Sequence, residues 1–253
     1  MIEVKTVNFN NLNDERYPGM IEALKRSFSK NMKSAKFEVM DTEFLPIRQK
    51  IDRKGFHDCQ TNNYKLKVWN KAVQNATSDL ILLDADMFCR GDLSKVFDQD
   101  FDIAYTTRTS GQPPINGGVI FVKNTIKAKQ FFKEWTAADD RMLADIVFHD
   151  QYRTRYKGMN QSSFGYMLEN RKLTKAILHS LPCAEYNACV EDWPNFKKAK
   201  LVHLNGFLGN DVLSRPETMP EWETAFFKEY DPPQKKGKSV DVDTPEEDVD
   251  ANE

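Results

Sequence analysis

The chain has 253 residues, 40% of them hydrophobic and 29% charged, with a formal net charge of −2. That composition describes a globular protein with room for a substantial core, as one large domain or two small ones. A charge this near zero removes any general attraction to nucleic acid or to an anionic membrane, although a local site can still oppose the global sign.

The N-terminal stretch MIEVKTVNFNNLNDERYPGM has no basic segment followed by an apolar one, so no secretory signal is expected. No apolar run approaches the ~20 residues that span a bilayer. Residues 2–9, IEVKTVNF, mix β-branched and polar side chains as a first strand does. After the punctuation of Pro18-Gly19, the residues Ile21, Leu24 and Phe28 recur at helical spacing. KFEVMDTEFL (36–45) reads as a second strand with its turn. Leu66, Trp69, Ala72 and Val73 form the apolar stripe of another helix, which NATSD (75–79) breaks. LILLDAD (80–86) follows, and its unbroken apolar character suits a strand covered on both faces.

DIAYTT (102–107) and GGVIFVKN (117–124) are further strands on either side of the Gly- and Pro-rich SGQPPING. Ala128, Phe131, Phe132 and Trp135 predict a helix, as do Phe164, Met167 and Leu168. AILHSL (176–181) and AKLVHL (199–204) supply late short strands. Helices alternating with strands imply an α/β sandwich with a largely parallel central sheet. From residue 231 onwards large apolar residues almost vanish and acids accumulate, so 231–253 is expected to be a disordered tail beyond a domain spanning 1–230. Cys59, Cys89, Cys183 and Cys189 lack CxxC spacing and are expected to be free buried thiols in a cytoplasmic protein.

Chemistry concentrates where LILLDAD ends. Ligands of open α/β sheets sit beyond the carboxyl ends of the strands, where Asp84 and Asp86 stand. Side chains two apart in extended backbone share a side, so both carboxylates can converge on one hard divalent cation, Mg²⁺ or Mn²⁺. Such a cation would offset their charge and offer a positive surface to a diphosphate. The same pair also fits acids that solvate a turn or cap the next helix. A phosphatase reading, with Asp84 attacking phosphorus and Asp86 as acid/base, meets Phe88 where a small hydroxyl residue is wanted.

Around the pair lie YKLKVW (64–69), PPINGGVIFVKN (113–124), GMNQSSFGYML (158–168), SLPCAEYN (180–187) and AKLVHLNG (199–206). In this order and spacing the blocks resemble glycosyltransferase family 8, the glycogenin-like and galactinol-synthase-like group of GT-A enzymes, over about residues 1–206. The resemblance implies a GT-A three-layer α/β/α sandwich, a nucleotide-sugar donor (usually UDP-linked), Mn²⁺, and transfer with retention of anomeric configuration. Asp84-Ala85-Asp86 match the family's motif for metal and ribose, and His203, in His-x-x-Gly with Gly206, matches the His that completes the metal site. Imidazole beside carboxylates tilts preference from Mg²⁺ towards Mn²⁺.

Lys65 matches a Lys at a helix start that reaches the donor. Asn116 matches an Asn-x-Gly whose amide reads sugar hydroxyls, with Gly117 and Gly118 permitting close backbone approach. Gln161 matches the Gln beside the anomeric carbon, while Tyr186 and Asn187 fit a turn that shapes the site.

Two departures stand out. The family's Asp before that Gln is Asn160 here, an amide without the carboxylate's charge; Asp150-Gln151 offers a literal Asp-Gln pair in a segment of poorer helical periodicity. The family's Lys-Pro-Trp after His-x-x-Gly is also missing, leaving Arg215 as the nearby cation. The expected function is therefore a metal-dependent glycosyltransferase, with a catalytically weakened sugar-nucleotide-binding module as the alternative. A nucleotidyltransferase would show a Gly-rich basic loop after the first strand, and NFNNLNDERYPG has none. The acceptor, whether glycan, protein or small molecule, is not encoded in these motifs.

Overall fold

The computed structural model describes residues 1–11, 16–45, 56–109, 114–189, 192 and 198–204. Gly206, Arg215, the end of the expected 1–230 domain and the expected tail at 231–253 lie outside the described residues.

Strand β1 (Ile2–Phe9) leads into helix α1 (Arg16–Asn31), strand β2 (Ala35–Thr42), helix α2 (Phe56–Asn75) and strand β3 (Asp79–Leu83). Short β4 (Met87–Cys89) precedes β5 (Ile103–Thr107) and β6 (Ile115–Val122). Three helices follow, α3 (Ile126–Ala144), α4 (Ile146–Tyr156) and α5 (Met159–Glu169), then β7 (Leu178–Pro182), the short α6 (Cys183–Tyr186) and β8 (Leu201–His203).

Six strands form one sheet in the order β2-β1-β3-β6-β5-β7. β1 is parallel to β2 and β3, β5 is parallel to β7, and only β6 runs against its neighbours. The sheet is thus mostly parallel, as alternating helices and strands require. One face carries Val7, Leu80, Leu82, Ile120 and Val122 into a cluster with Trp69, Phe131, Trp135 and Phe164 from α2, α3 and α5. The opposite face packs Val4, Ile81, Leu83, Val119 and Phe121 against Leu24 and Phe28 of α1. Alternation along β1 and β3 feeds both layers, which gives the three-layer α/β/α sandwich.

Sequence and structure differ at several places: β3 stops at Leu83 instead of running on to Asp86, and β6 begins at Ile115, inside the stretch expected to separate two strands. Pro18 does not precede α1 but lies within its first turn, where its missing N–H is no loss because the first four amides have no partner inside the helix. α2 begins at Phe56, so Lys65 sits in its middle; the buried stripe continues upstream of Leu66 through Gln60 and Asn63, whose polar side chains hide it from an apolar pattern. α4 has no clear apolar stripe, and it is held by local signals instead, with Asp145 capping it through the Phe148 N–H at 3.0 Å.

Polar groups also tie the helical layer together. Asp139 of α3 is fully buried and accepts hydrogen bonds from Ser163 Oγ of α5 and, at 2.9 Å, from Asn63 Nδ2 of α2. Trp135 Nε1 donates to the same serine at 2.9 Å. No helix among the described residues is long and apolar enough to cross a membrane, and all four cysteines are free.

Candidate active site

β3 ends at Leu83, and the chain leaves the sheet carrying Asp84 and Asp86 past its carboxyl edge, with Ala85 buried between them. The next strand, β4, pairs antiparallel with β8 so that Met87 lies opposite His203. The Leu204 N–H donates to the Asp86 carbonyl at 2.8 Å, and the His203 N–H to the Ala188 carbonyl at 2.9 Å. A two-stranded ladder therefore brings His203 beside acids more than a hundred residues earlier in the chain. One ligand atom from each of Asp84, Asp86 and His203 lies within 4.8 Å of the others. Two carboxylate oxygens and one imidazole nitrogen, so close together, form a donor set that fits a hard or borderline divalent cation.

The His203 ring is held from behind. Its Nδ1 is 3.0 Å from Asn187 Oδ1, while Asn187 Nδ2 donates to Thr106 Oγ1 at 2.8 Å. Because the Asn187 amide group is spent on Thr106, its oxygen faces the ring and keeps the proton on Nδ1. Nε2 is thereby left to point at Asp86 Oδ1, 3.3 Å away. Burial pulls the His203 imidazolium pKa down, but the charge and hydrogen bond of Asp86 outweigh it and raise the pKa well above the ordinary value. Burial likewise pushes the Asp86 carboxyl up, and the adjacent His203 brings it below the ordinary range. A proton shared in this way is what a bound cation would displace.

β6 supplies the floor. A Cβ at Gly118 would lie 2.6 Å from His203 Cε1 and 2.7 Å from Nδ1, so the space left by the missing side chain is filled by the imidazole. The Gly118 N–H donates to Asn116 Oδ1 at 2.9 Å, and Asn116 Nδ2 donates to Cys189 Sγ at 3.1 Å. The Asn116 amide is thus committed within the protein. The β5–β6 register jumps from Tyr105–Ile120 to Thr106–Asn116, a bulge that leaves Gly117 and Gly118 unpaired with β5, while the Gly118 carbonyl accepts from the Asp84 N–H at 2.9 Å just past the end of β3.

Lys65 reaches from α2 to Asp84, with Nζ 2.5 Å from Oδ1, and lies 4.8 Å from the centre of the Trp69 ring. Gln161 at the start of α5 is engaged at both ends of its amide: Oε1 accepts from Gly117 N–H at 3.0 Å and Nε2 donates to the Tyr156 carbonyl at 2.9 Å. Its neighbour Asn160 is buried, and neither of its side-chain amide atoms has a hydrogen-bond partner in the protein. Asp150 is exposed on α4, 3.9 Å from Arg153, and Gln151 beside it is exposed too. The structure therefore gathers Asp84, Asp86, His203, Lys65, Asn116, Gly117, Gly118, Asn160 and Gln161 at one edge of the sheet and leaves Asp150 outside.

Residues 22–212 match the family model described as nucleotide-diphospho-sugar transferase. Among solved structures, the chain is similar to a glycosyltransferase involved in glycosylating the major capsid of PBCV-1, at 16% identity over 87% of this chain and 98% of that one, with a TM-score of 0.57. It is similar to the glycosyltransferase GlyE of Streptococcus pneumoniae TIGR4, at 15% identity over 92% of this chain and 66% of that one, with a TM-score of 0.52. Galactosyltransferase LgtC, solved with donor and acceptor sugar analogs, is 12% identical over 87% of this chain and 94% of that one, with a TM-score of 0.51. At such identities the likeness is one of fold, and the fold is GT-A. No curated protein sequence matches the chain.

Proposed function

The chain belongs to the nucleotide-diphospho-sugar transferase family, and from that premise we propose that it transfers a sugar from a UDP-linked donor with a divalent cation held by Asp84, Asp86 and His203. The observation that carries this reading is the convergence of those three ligand atoms within 4.8 Å at the carboxyl edge of a mostly parallel sheet. The imidazole favours Mn²⁺ over Mg²⁺. When bound, the cation would supply positive charge to the donor's diphosphate.

The remaining chemistry belongs to the chain itself. Asn187 holds the His203 ring so that Nε2, rather than Nδ1, faces the acids. Among the described residues Lys65, already paired with Asp84, is a positive side chain beside a diphosphate placed there, and it would steady charge that builds on the leaving group. Asn160 and Gln161 carry amides rather than carboxylates, so neither offers a nucleophile for a double displacement. That fits transfer with retention by front-face attack, as the resemblance to glycosyltransferase family 8 implies. The four free cysteines suit a reducing, cytoplasmic setting.

The test is release of UDP from UDP-sugars in the presence of Mn²⁺. Asp84→Ala and Asp86→Ala are expected to lower it by at least about 100-fold, the scale on which positioned electrostatic groups act. Turnover that survives in both variants would contradict the assignment. Donor binding without turnover in the unmodified protein would turn the reading to a binding module.

A further inference from the structure

The helical layer holds a buried carboxyl that the proposed chemistry does not use. Asp139 of α3 is fully buried; Asn63 Nδ2 of α2 donates to its Oδ2 at 2.9 Å, and Ser163 Oγ of α5 sits against its Oδ1. Lys67 of α2 spends its charge on the neighbouring Asp140, 2.9 Å away, and Asn63 Nδ2 also donates to Asp140 at 2.8 Å. α4, which packs on the same layer, brings the buried His149, with Nε2 3.3 Å from the Gly158 carbonyl.

Ser163 has a single hydroxyl proton and two acceptors for it. Its Oγ touches Asp139 Oδ1 and also lies 3.1 Å from the Asn160 carbonyl, one turn earlier in α5, while Trp135 Nε1 donates to the same Oγ at 2.9 Å. With Asp139 ionised, the hydroxyl proton goes to the carboxylate, which can only accept. The Asn160 carbonyl then keeps the longer contact to Trp135 Nε1, at 3.3 Å. With Asp139 protonated, the carboxyl O–H donates to Ser163 Oγ, and the serine proton turns back onto the Asn160 carbonyl. A serine bonded back to its own helix bends that turn slightly. The two proton states therefore set two positions for the first turn of α5.

That turn carries a contact to the candidate site. Gln161 follows Asn160, and its Oε1 accepts the Gly117 N–H at 3.0 Å. Next along β6, the Gly118 carbonyl accepts the Asp84 N–H at 2.9 Å, and the His203 ring fills the space beside Gly118. We propose that Asp139 and Ser163 are positioning residues whose shared proton holds the first turn of α5 against the β6 bulge, so that losing the proton loosens the floor of the metal cluster. Burial raises the Asp139 carboxyl to about 7 against the hydrogen bonds of Ser163 and Asn63, which places the change near neutral pH. The link from Asp139 to Gly117 stands without the UDP-sugar reading; its effect on turnover rests on that reading.

The experiment follows the NMR signals of the Trp135 indole N–H and the Gly117 amide N–H across neutral pH, in the full chain without metal or donor. It compares the unmodified protein with Asp139→Asn and Ser163→Ala, with melting temperature as the check on folding. Both signals are expected to titrate together in the unmodified protein, with a midpoint near the value of about 7. Asp139→Asn, whose amide donates to Ser163 Oγ as the protonated acid does, is expected to hold both signals at their acid-side positions. Ser163→Ala is expected to stop the Gly117 signal from following. A Gly117 signal that does not titrate with the indole, or that keeps the same midpoint in either folded variant, would overturn the inference. UDP release from UDP-sugars with Mn²⁺ is expected to fall as pH rises through that midpoint in the unmodified protein, relative to Asp139→Asn; parallel profiles in the two would also overturn it. Absence of any turnover would remove the donor reading, and the two NMR titrations would still decide this inference.

Discussion

At the scale of single residues, the site depends on contacts that leave almost no slack. Gly118 is required because a side chain there would overlap the His203 ring, at 2.6 Å from Cε1. Gly118→Ala is therefore expected to push the imidazole off Asp86 and to weaken Mn²⁺ binding by at least about tenfold, the loss typical of disturbed ligand orientation. Titration of Mn²⁺ into the variant checks this, with circular dichroism to confirm the fold. Asn187→Ala is expected to act on the same ring from behind: with Nδ1–H unpaired, the tautomer is no longer fixed, and Mn²⁺ affinity falls by about tenfold or more. Retained affinity in that variant would show that Asp86 alone orients the ring.

The two acids and the histidine were legible as candidates because a carboxylate pair at the end of LILL is costly without a partner. The part Asn187 plays was not legible: its value comes from a 3.0 Å contact to a residue on another strand, and a fully buried asparagine leaves no mark in local pattern. Nor did sequence reveal that Gln161 has both amide ends tied down, while Asn160, which looked like the weaker half of the pair, has neither.

At the scale of elements, the helical layer depends on the buried carboxyl of Asp139, where α2, α3 and α5 meet. Burial pushes its pKa up from the ordinary 3.8 to about 7, against the hydrogen bonds from Ser163 and Asn63 that pull it down. Between those two values the folded protein keeps a proton that the unfolded chain has lost. Stability is therefore expected to fall as pH rises from about 4 to about 7 through this group, because the folded state binds more protons. Asp139→Asn removes the titrating group and keeps a polar partner for Ser163, so it is expected to flatten that part of the profile in denaturation measured from pH 4 to 8. An unchanged slope would show that Asp139 does not titrate in this window.

Strands and helices with strong periodicity, such as β1, β3 and α3, were readable in the sequence because burial on one or both faces dictates their composition. α4 was not, since its residues Ile146–Tyr156 bury no continuous stripe and the Asp145 cap carries the start signal. Short β4 and β8 pair with each other, β8 also bridging to Ala188, and three-residue strands leave too little pattern to place their ends.

At the scale of the whole molecule, the sheet order does what no local segment can. β3 delivers Asp84 and Asp86 to its carboxyl edge, β6 lies alongside with Gly117 and Gly118 in its bulge, and the β4–β8 ladder returns His203 to the same point. The family membership is consistent with the proposed nucleotide-sugar site here, and the three-residue cluster is the donor set proposed to hold its cation. The central claim is that this cluster is a metal centre on which a nucleotide diphosphate binds. Calorimetric titration of UDP, with and without Mn²⁺, tests it most directly when run on the unmodified protein and on Asp86→Asn and His203→Ala. The account expects UDP binding that requires Mn²⁺ and weakens by at least about tenfold in each variant at unchanged melting temperature. UDP binding that is indifferent to Mn²⁺, or equal in all three proteins, would contradict it.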